Sequence, residues 1–376
     1  MNFDRVEQAM DEAVDAGAFP GVVVLVNLGG EIVFHRAAGV RAFDDARSPM
    51  REDTIFDLAS LTKSLATSVA MMVMTRERKI DLDDRLTRFF HNFGVHGKTH
   101  ITFRHLLANT SGLAAWRPFY KDVLRTEREG RINFTASRGA KEFVYESIQR
   151  EKPECPPGAR TIYSDLGFML LAAAIEQVSG LTFDRYCHEK IFRPLGLRST
   201  SFVDLSSLRT RRLELIPEMI APTERCPWRK RVLCGEVHDD NAYAMGGVAG
   251  HAGLFSSARD VDHLATTLRA VHEGQSDFLP ASVVREFWRR DDTLGTSSWA
   301  LGWDTPSAKD STAGTEISRT AVGHVGFTGT SLWIDLDRRM HVIVLSNRVH
   351  PSRDNDKIRE FRPRVHDLVV RALEAA

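Results

Sequence analysis

The chain has 376 residues, 43% hydrophobic and 27% charged, enough for one large domain or two smaller ones with a sizeable core. Fifty basic residues balance fifty acidic ones, so neither a nucleic acid nor an acidic membrane surface is the expected partner, and a small-molecule ester or amide substrate is. The four cysteines, Cys155, Cys187, Cys226 and Cys234, show no C-x-x-C spacing and are expected as free thiols.

In chain order, Phe3, Val6, Ala9, Met10, Ala13 and Val14 recur at helical spacing, and Gly17 ends that helix. The segment is amphipathic and acidic and lacks the basic and apolar regions of a secretory leader, so a cytoplasmic protein is expected, or a periplasmic one if a leader has been removed. Residues 20–26 and 31–37 read as two strands joined at Gly29 and Gly30, a β-hairpin. The stretch from Asp57 to Ser64 opens a helix whose continuation, Ser64 to Thr75, carries no charge. A helix apolar all round is a buried one, and this run falls short of the roughly 20 residues that cross a bilayer.

Thr102 is a capping residue for a short helix that should end at Ser111 and Gly112. Residues 117–138 are charged and aperiodic, which predicts a mobile loop and a candidate lid. After Pro156, Pro157 and Gly158, a helix capped by Ser164 or Asp165 runs to Gly180, and residues 183–192 form another. Residues 205–241 are irregular and read as a long insertion. The glycines of residues 246–256 fit no phosphate-cradle pattern, so tight backbone approach beside a pocket is their expected use. Ser256 or Ser257 then caps a helix to about Val271. Residues 323–330, 331–335 and 340–345 read as consecutive antiparallel strands, with a turn at Asp337, and residues 361–375 as a closing helix.

Fourteen histidines raise the question of a metal, but there is no H-E-x-x-H, and His238, Asp239, Asp240 and His251 lack a zinc-like spacing. No metal and no cofactor are expected. A G-x-S-x-G elbow is also missing. Ser60 and Lys63 remain, three residues apart on one helix face, where an amine can sit beside a hydroxyl. The amine must be unprotonated to act as a base, and its ordinary pKa is near 10.4. Burial and a neighbouring acceptor must help, and Tyr163, at a helix entry with Asp165 two residues on, could share the proton with Lys63.

Ser60-Leu-Thr-Lys63, Tyr163-Ser-Asp165 and His324-Val-Gly326 stand in the order and separation of the S-x-x-K, Y-x-N and K-T-G elements of class C β-lactamases. The chain therefore resembles the serine β-lactamase and penicillin-binding-protein-like hydrolases, in particular the class C-like branch with its family VIII-type carboxylesterases and D-alanyl-D-alanine peptidases. The resemblance covers nearly the whole chain. It implies an α+β fold of the β-lactamase/transpeptidase type: an antiparallel sheet flanked by helices, with a mostly helical inserted subdomain. One catalytic unit would span residues 1–376, its α/β part about 1–80 and 255–376 and its helical part about 81–254. It also implies that Ser60 attacks an ester or amide carbonyl and that water releases the acyl-enzyme. The backbone N–H groups of Ser60 and, by position, Phe327 would hold the oxyanion.

Two residues depart from the family pattern. His324 replaces the motif lysine and is only partly charged near neutrality. Asp165 replaces an asparagine and, when ionised, can only accept hydrogen bonds. Asp165, His324 and Gly326 are the implied substrate contacts, and Arg348 and Arg353 could restore positive charge. Three functions fit: a carboxylesterase on small acyl esters, a D-alanyl-D-alanine carboxypeptidase or β-lactamase, and a non-catalytic binding protein of the same fold.

Overall fold

Gly29 and Gly30 adopt φ of 66° and 110°, a left-handed turn that favours glycine and closes the hairpin of Gly21–Leu28 and Glu31–Gly39. Gly21–Leu28 also pairs antiparallel with Met340–Ser346, Val22 opposite Ser346 and Leu25 opposite Ile343. The five-stranded antiparallel sheet runs Glu31–Gly39, Gly21–Leu28, Met340–Ser346, Ser331–Asp335, Val322–Val325, so both ends of the chain build it. Side chains alternate between its faces. Val22, Val24 and Val26 pack with Val6 and Met10 of the helix Asp4–Asp15 and with Phe361, Val365 and Val369 of the helix Ile358–Glu374. Val23 and Leu25 join the main core on the other face, which includes the helix Ala258–Glu273. Burial on both faces explains why the strand is an apolar run instead of an alternating one. The computed structural model describes residues 1–45, 47–206, 217–295 and 297–375.

The intervening chain is mostly helical. Ser164 caps the helix Asp165–Ser179 by accepting from Gly167 N at 3.3 Å, and Gly180 ends it at φ 70°. Ser257 caps Ala258–Glu273. Thr102 and His105 form a capping box on Phe103–Leu107, which stops sooner than the sequence predicts because Asn109, at φ 59°, takes the left-handed turn expected of Gly112. The expected loop at residues 117–138 is a correction: Phe119–Arg128 is a helix. Only Phe119 and Val123 of that helix are buried, one turn apart, too sparse an apolar stripe to stand out among charges.

Of the insertion at residues 205–241, residues 207–216 lie outside the described residues. Its later part holds the short antiparallel pair Arg225–Cys226 and Arg231–Val232 and leads into the helix Asp240–Ala244. The glycines of 246–256 do permit close approach: a Cβ at Gly250 would lie 2.1 Å from Phe168 O, and one at Gly247 2.3 Å from Val203 O. All four cysteines are free. Among the described residues no single helix is long and apolar enough to cross a membrane.

Candidate active site

Ser60 sits in a tight turn at the mouth of the central helix, whose buried part includes every residue from Lys63 to Met74. The helix opens with a π-turn, Lys63–Ser68, a form common at functional sites. Its hydroxyls are spent on neighbouring backbone: Ser64 donates to Gly302 O, Thr67 to Gly250 O and Ser68 to Leu301 O, at 2.6 to 2.8 Å. Just before Ser60, Ala59 is held at φ 47°, a left-handed conformation that costs a non-glycine residue about 1–2 kcal/mol. Buried Asp57 holds this turn, accepting from Ala59 N at 2.8 Å and from His238 N at 2.7 Å.

The structure brings Ser60, Lys63, Tyr163 and Asp165 together. Lys63, wholly buried, has three acceptors for its three N–H bonds: Ser60 Oγ at 2.9 Å, His251 O at 3.1 Å and Asp165 Oδ1 at 2.8 Å. A neutral amine would leave one acceptor unserved. Burial opposes the charge, but the Asp165 carboxylate, with Tyr163, outweighs it and holds the Lys63 pKa above its ordinary value. The expectation that burial frees Lys63 as a base is thereby corrected: the Asp165 carboxylate keeps the proton on it. The Tyr163 ring lies beside Lys63, its centroid 4.8 Å from Nζ; burial raises the Tyr163 pKa, Lys63 pulls it back, and Asp165 raises it again, for a net upward shift. Both partners are therefore protonated at rest.

His324 is 2% exposed, and its Nδ1 donates to Val325 O at 2.8 Å, which leaves Nε2 as a buried acceptor without a partner. Burial first, then the Lys63 charge, lowers its pKa to about 3. Instead of the partial charge expected near neutrality, His324 is neutral. Gly326 is required by space, since a Cβ there would lie 2.0 Å from Thr330 Oγ1 and 2.5 Å from Leu58 O. Neither Ser60 N nor Phe327 N has an acceptor among the described residues, which leaves both amides available to an oxyanion. Arg348 and Arg353 both line the cleft with Ser60. Arg353 is already committed, to Glu224 at 2.5 and 2.8 Å and to Asp240 at 3.2 Å.

Two cavities meet at Ser60. The larger, about 590 Å³, includes Tyr163, Trp299, Asp304, His324 and Arg348 in its wall. The smaller, about 280 Å³, is walled by Trp116, Asp165, Asp239, His251 and Phe327, among others. The insertion thus reaches the cleft through residues 238–240. Sequence reasoning missed Trp299, whose ring stacks on Tyr163 at 5.1 Å and lies 5.4 Å from His324. Trp299 directly precedes Ala300-Leu-Gly-Trp303, a further stretch that this chain shares with the family it resembles, and that was the available signal. It also missed Trp116 and Asp304; burial pushes the Asp304 carboxyl up to about 6. Asp165, Asp239 and His251 bring one ligand atom each within 4.8 Å of one another. The Lys63 ammonium on Asp165 disfavours a second cation there, and Asp239 already accepts from His251 Nε2 at 2.9 Å and Ala242 N at 2.7 Å.

Comparison with known proteins gives the family and the fold. The family model described as Beta-lactamase matches residues 6–365. A protein of Escherichia coli K12 whose provisional name is D-alanyl-D-alanine carboxypeptidase is 33% identical over 390 residues, covering 95% of this chain and 85% of its own. A Salmonella typhimurium LT2 protein of the same name is 32% identical over 383 residues, with 94% and 84% covered. Among solved structures, EstCE1, titled a hydrolase with promiscuous acyltransferase activity, superposes with a TM-score of 0.74 at 21% identity, covering 98% of both chains. The octameric penicillin-binding protein homologue from Pyrococcus abyssi gives 0.72 at 21%, covering 100% of this chain and 78% of its own. These two likenesses establish the α+β fold with its antiparallel sheet and flanking helices. With its family model spanning nearly every residue, the chain belongs to the Beta-lactamase family and is a serine hydrolase.

Proposed function

We propose that the chain acts as one catalytic unit and that its activity is that of a carboxylesterase on small acyl esters, through an acyl-enzyme on Ser60. The observation that carries this reading is the 2.9 Å contact from Lys63 Nζ to Ser60 Oγ, inside a group that also holds Tyr163 and Asp165. At rest the Lys63/Tyr163 pair carries one proton too many to act as a base. On the alkaline side it loses that proton, and as a coupled pair it then takes the Ser60 proton and returns it to the leaving alkoxide. The oxyanion that forms when Ser60 Oγ bonds to the carbonyl carbon accepts from the Ser60 and Phe327 amides, each such donor being worth about 10²- to 10³-fold in rate. Water then attacks the acyl-enzyme by the same proton route, and the acid leaves as Ser60 regains its proton.

Neutral His324 favours an ester over a β-lactam or peptide, because it puts no cation where the family motif has a lysine. A second reading, D-alanyl-D-alanine carboxypeptidase, is favoured by the names of the curated relatives. The test compares a chromogenic cephalosporin, a D-alanyl-D-alanine peptide and short p-nitrophenyl esters, with Ser60→Ala as control. Ser60-dependent ester turnover is expected; turnover of the peptide or cephalosporin alone would overturn the esterase reading.

A further inference from the structure

Ser60 and Phe327, whose amides would hold the oxyanion, lie on separate elements, and such a donor works only when it stands about 3 Å from the oxygen it serves. Phe327 has little of its own to fix it: its side chain is 50% exposed, and it sits in a tight turn between Gly326 and Gly329, the latter at φ 111°. Three neighbours hold it. Arg362 Nη2 donates at 2.6 Å to Gly326 O, the carbonyl of the same peptide unit as the Phe327 amide. Arg348 Nε donates to Phe327 O at 2.7 Å, and its Cζ lies 4.3 Å from the centroid of the Phe327 ring. His238 stacks its ring on that of Phe327, with centroids 5.7 Å apart and planes at 25°.

His238 also reaches the other amide. Its backbone N donates to Asp57 Oδ2 at 2.7 Å, and Asp57 Oδ1 accepts from Ala59 N at 2.8 Å, which fixes the turn that carries Ser60. Its own place is set within the insertion: Arg229 Nη2 donates to His238 O at 2.9 Å, and Glu224 Oε2, which also accepts from Arg353, lies 3.3 Å from His238 Nε2. His238 is 4% exposed, so packing leaves its ring no room to swing away from Phe327. One residue of the insertion therefore meets both halves of the oxyanion site, the first through its backbone and the second through its ring.

We propose that His238 is a positioning residue for the oxyanion, its stacked ring fixing the direction of the Phe327 amide while its backbone N–H fixes that of Ser60. This rests on the serine-esterase reading and adds to it a task for the insertion beyond walling the small cavity. Misplacing a catalytic group by about 1 Å costs on the order of a hundredfold in rate. Loss of the ring contact alone, with the backbone N–H kept, should cost about tenfold. The competing account is that the stack only packs the insertion against the cleft, so that its loss lowers stability and leaves the chemistry alone.

The experiment compares p-nitrophenyl butyrate with its thiono analogue, in which sulfur replaces the carbonyl oxygen. Sulfur is a weak hydrogen-bond acceptor, so the thiono ester draws little from the two amides and reports on everything except the oxyanion site. In His238→Ala the kcat of the oxo ester is expected to fall about tenfold with KM little changed, and the oxo-to-thiono ratio of kcat/KM by nearly the same factor. His238→Phe, which keeps a ring at that position, should recover most of it. Phe327→Leu removes the other ring at a half-exposed position outside the core, keeps the amide, and should lower the ratio to the same degree. An unchanged ratio in Phe327→Leu would overturn the proposal even if the His238 variants do not fold. So would equal losses for both esters in folded His238→Ala, the outcome of packing alone. Without Ser60-dependent turnover of the oxo ester in the unmodified enzyme the esterase reading fails, and this brace with it; turnover with an unmoved ratio overturns the brace alone.

Discussion

Replacing Asp165 by asparagine tests what sets the protonation of Lys63 and Tyr163 beside Ser60. The amide keeps an acceptor for Lys63 Nζ and removes the charge 2.8 Å away. At an effective dielectric near 20, Coulomb's law gives about 6 kcal/mol for a pair at this distance. Opposite charges at such range move a pKa by about one to three units in practice, since water and dipoles relax, and we use the smaller figure. Asp165 raises both Lys63 and Tyr163, so its loss lowers both and the pair sheds its extra proton at lower pH. The rising limb of kcat/KM for a p-nitrophenyl ester, where activity climbs with pH as the pair loses its proton, should therefore move down by about one to three pH units in Asp165→Asn. Activity at pH 8, below that limb, should rise about tenfold or more. A limb that stays in place, or moves up, would refute the reasoning that Asp165 keeps the proton on the pair.

Three further substitutions have definite outcomes. Gly326→Ala places a Cβ 2.0 Å from Thr330 Oγ1; it should destabilise by about 1–3 kcal/mol and, by shifting the Phe327 amide, lower kcat about a hundredfold, as urea unfolding and steady-state kinetics would show. Ala59→Gly releases the left-handed φ of 47° and should stabilise by about 0.5–1 kcal/mol once the added freedom of glycine is subtracted, read as a higher urea midpoint. Trp299→Ala removes the ring stacked at 5.1 Å on Tyr163; such pairs contribute about 0.5–1.5 kcal/mol, so kcat/KM should fall roughly three- to tenfold with little change in stability.

The fold was legible wherever local chemistry decides it. The Gly29-Gly30 turn, the Ser164, Ser257 and Thr102 caps, and the apolar run behind Ser60 each obey a rule that acts over a few residues. Ser60, Lys63 and Tyr163 were legible as an ordered set of motifs. The charge state of Lys63 was not, because it depends on which Asp165 oxygen points inward after some hundred residues of intervening chain have packed. Arg362 escaped notice for a similar reason: nothing in a helix of alternating charges signals that one guanidinium turns inward to Gly326 and Thr330. Arg353 looked available, and its commitment to Glu224 and Asp240 is a tertiary fact. The Phe119–Arg128 helix was hidden because its two buried residues make too short a stripe.

The central claim is that Ser60 carries the acyl group. Intact-mass and peptide mass spectrometry after a rapid acid quench during p-nitrophenyl ester turnover tests it most directly. The account predicts one acyl adduct, on the peptide containing Ser60, absent in Ser60→Ala along with the turnover. An adduct on another residue, or ester hydrolysis that survives Ser60→Ala, would contradict it.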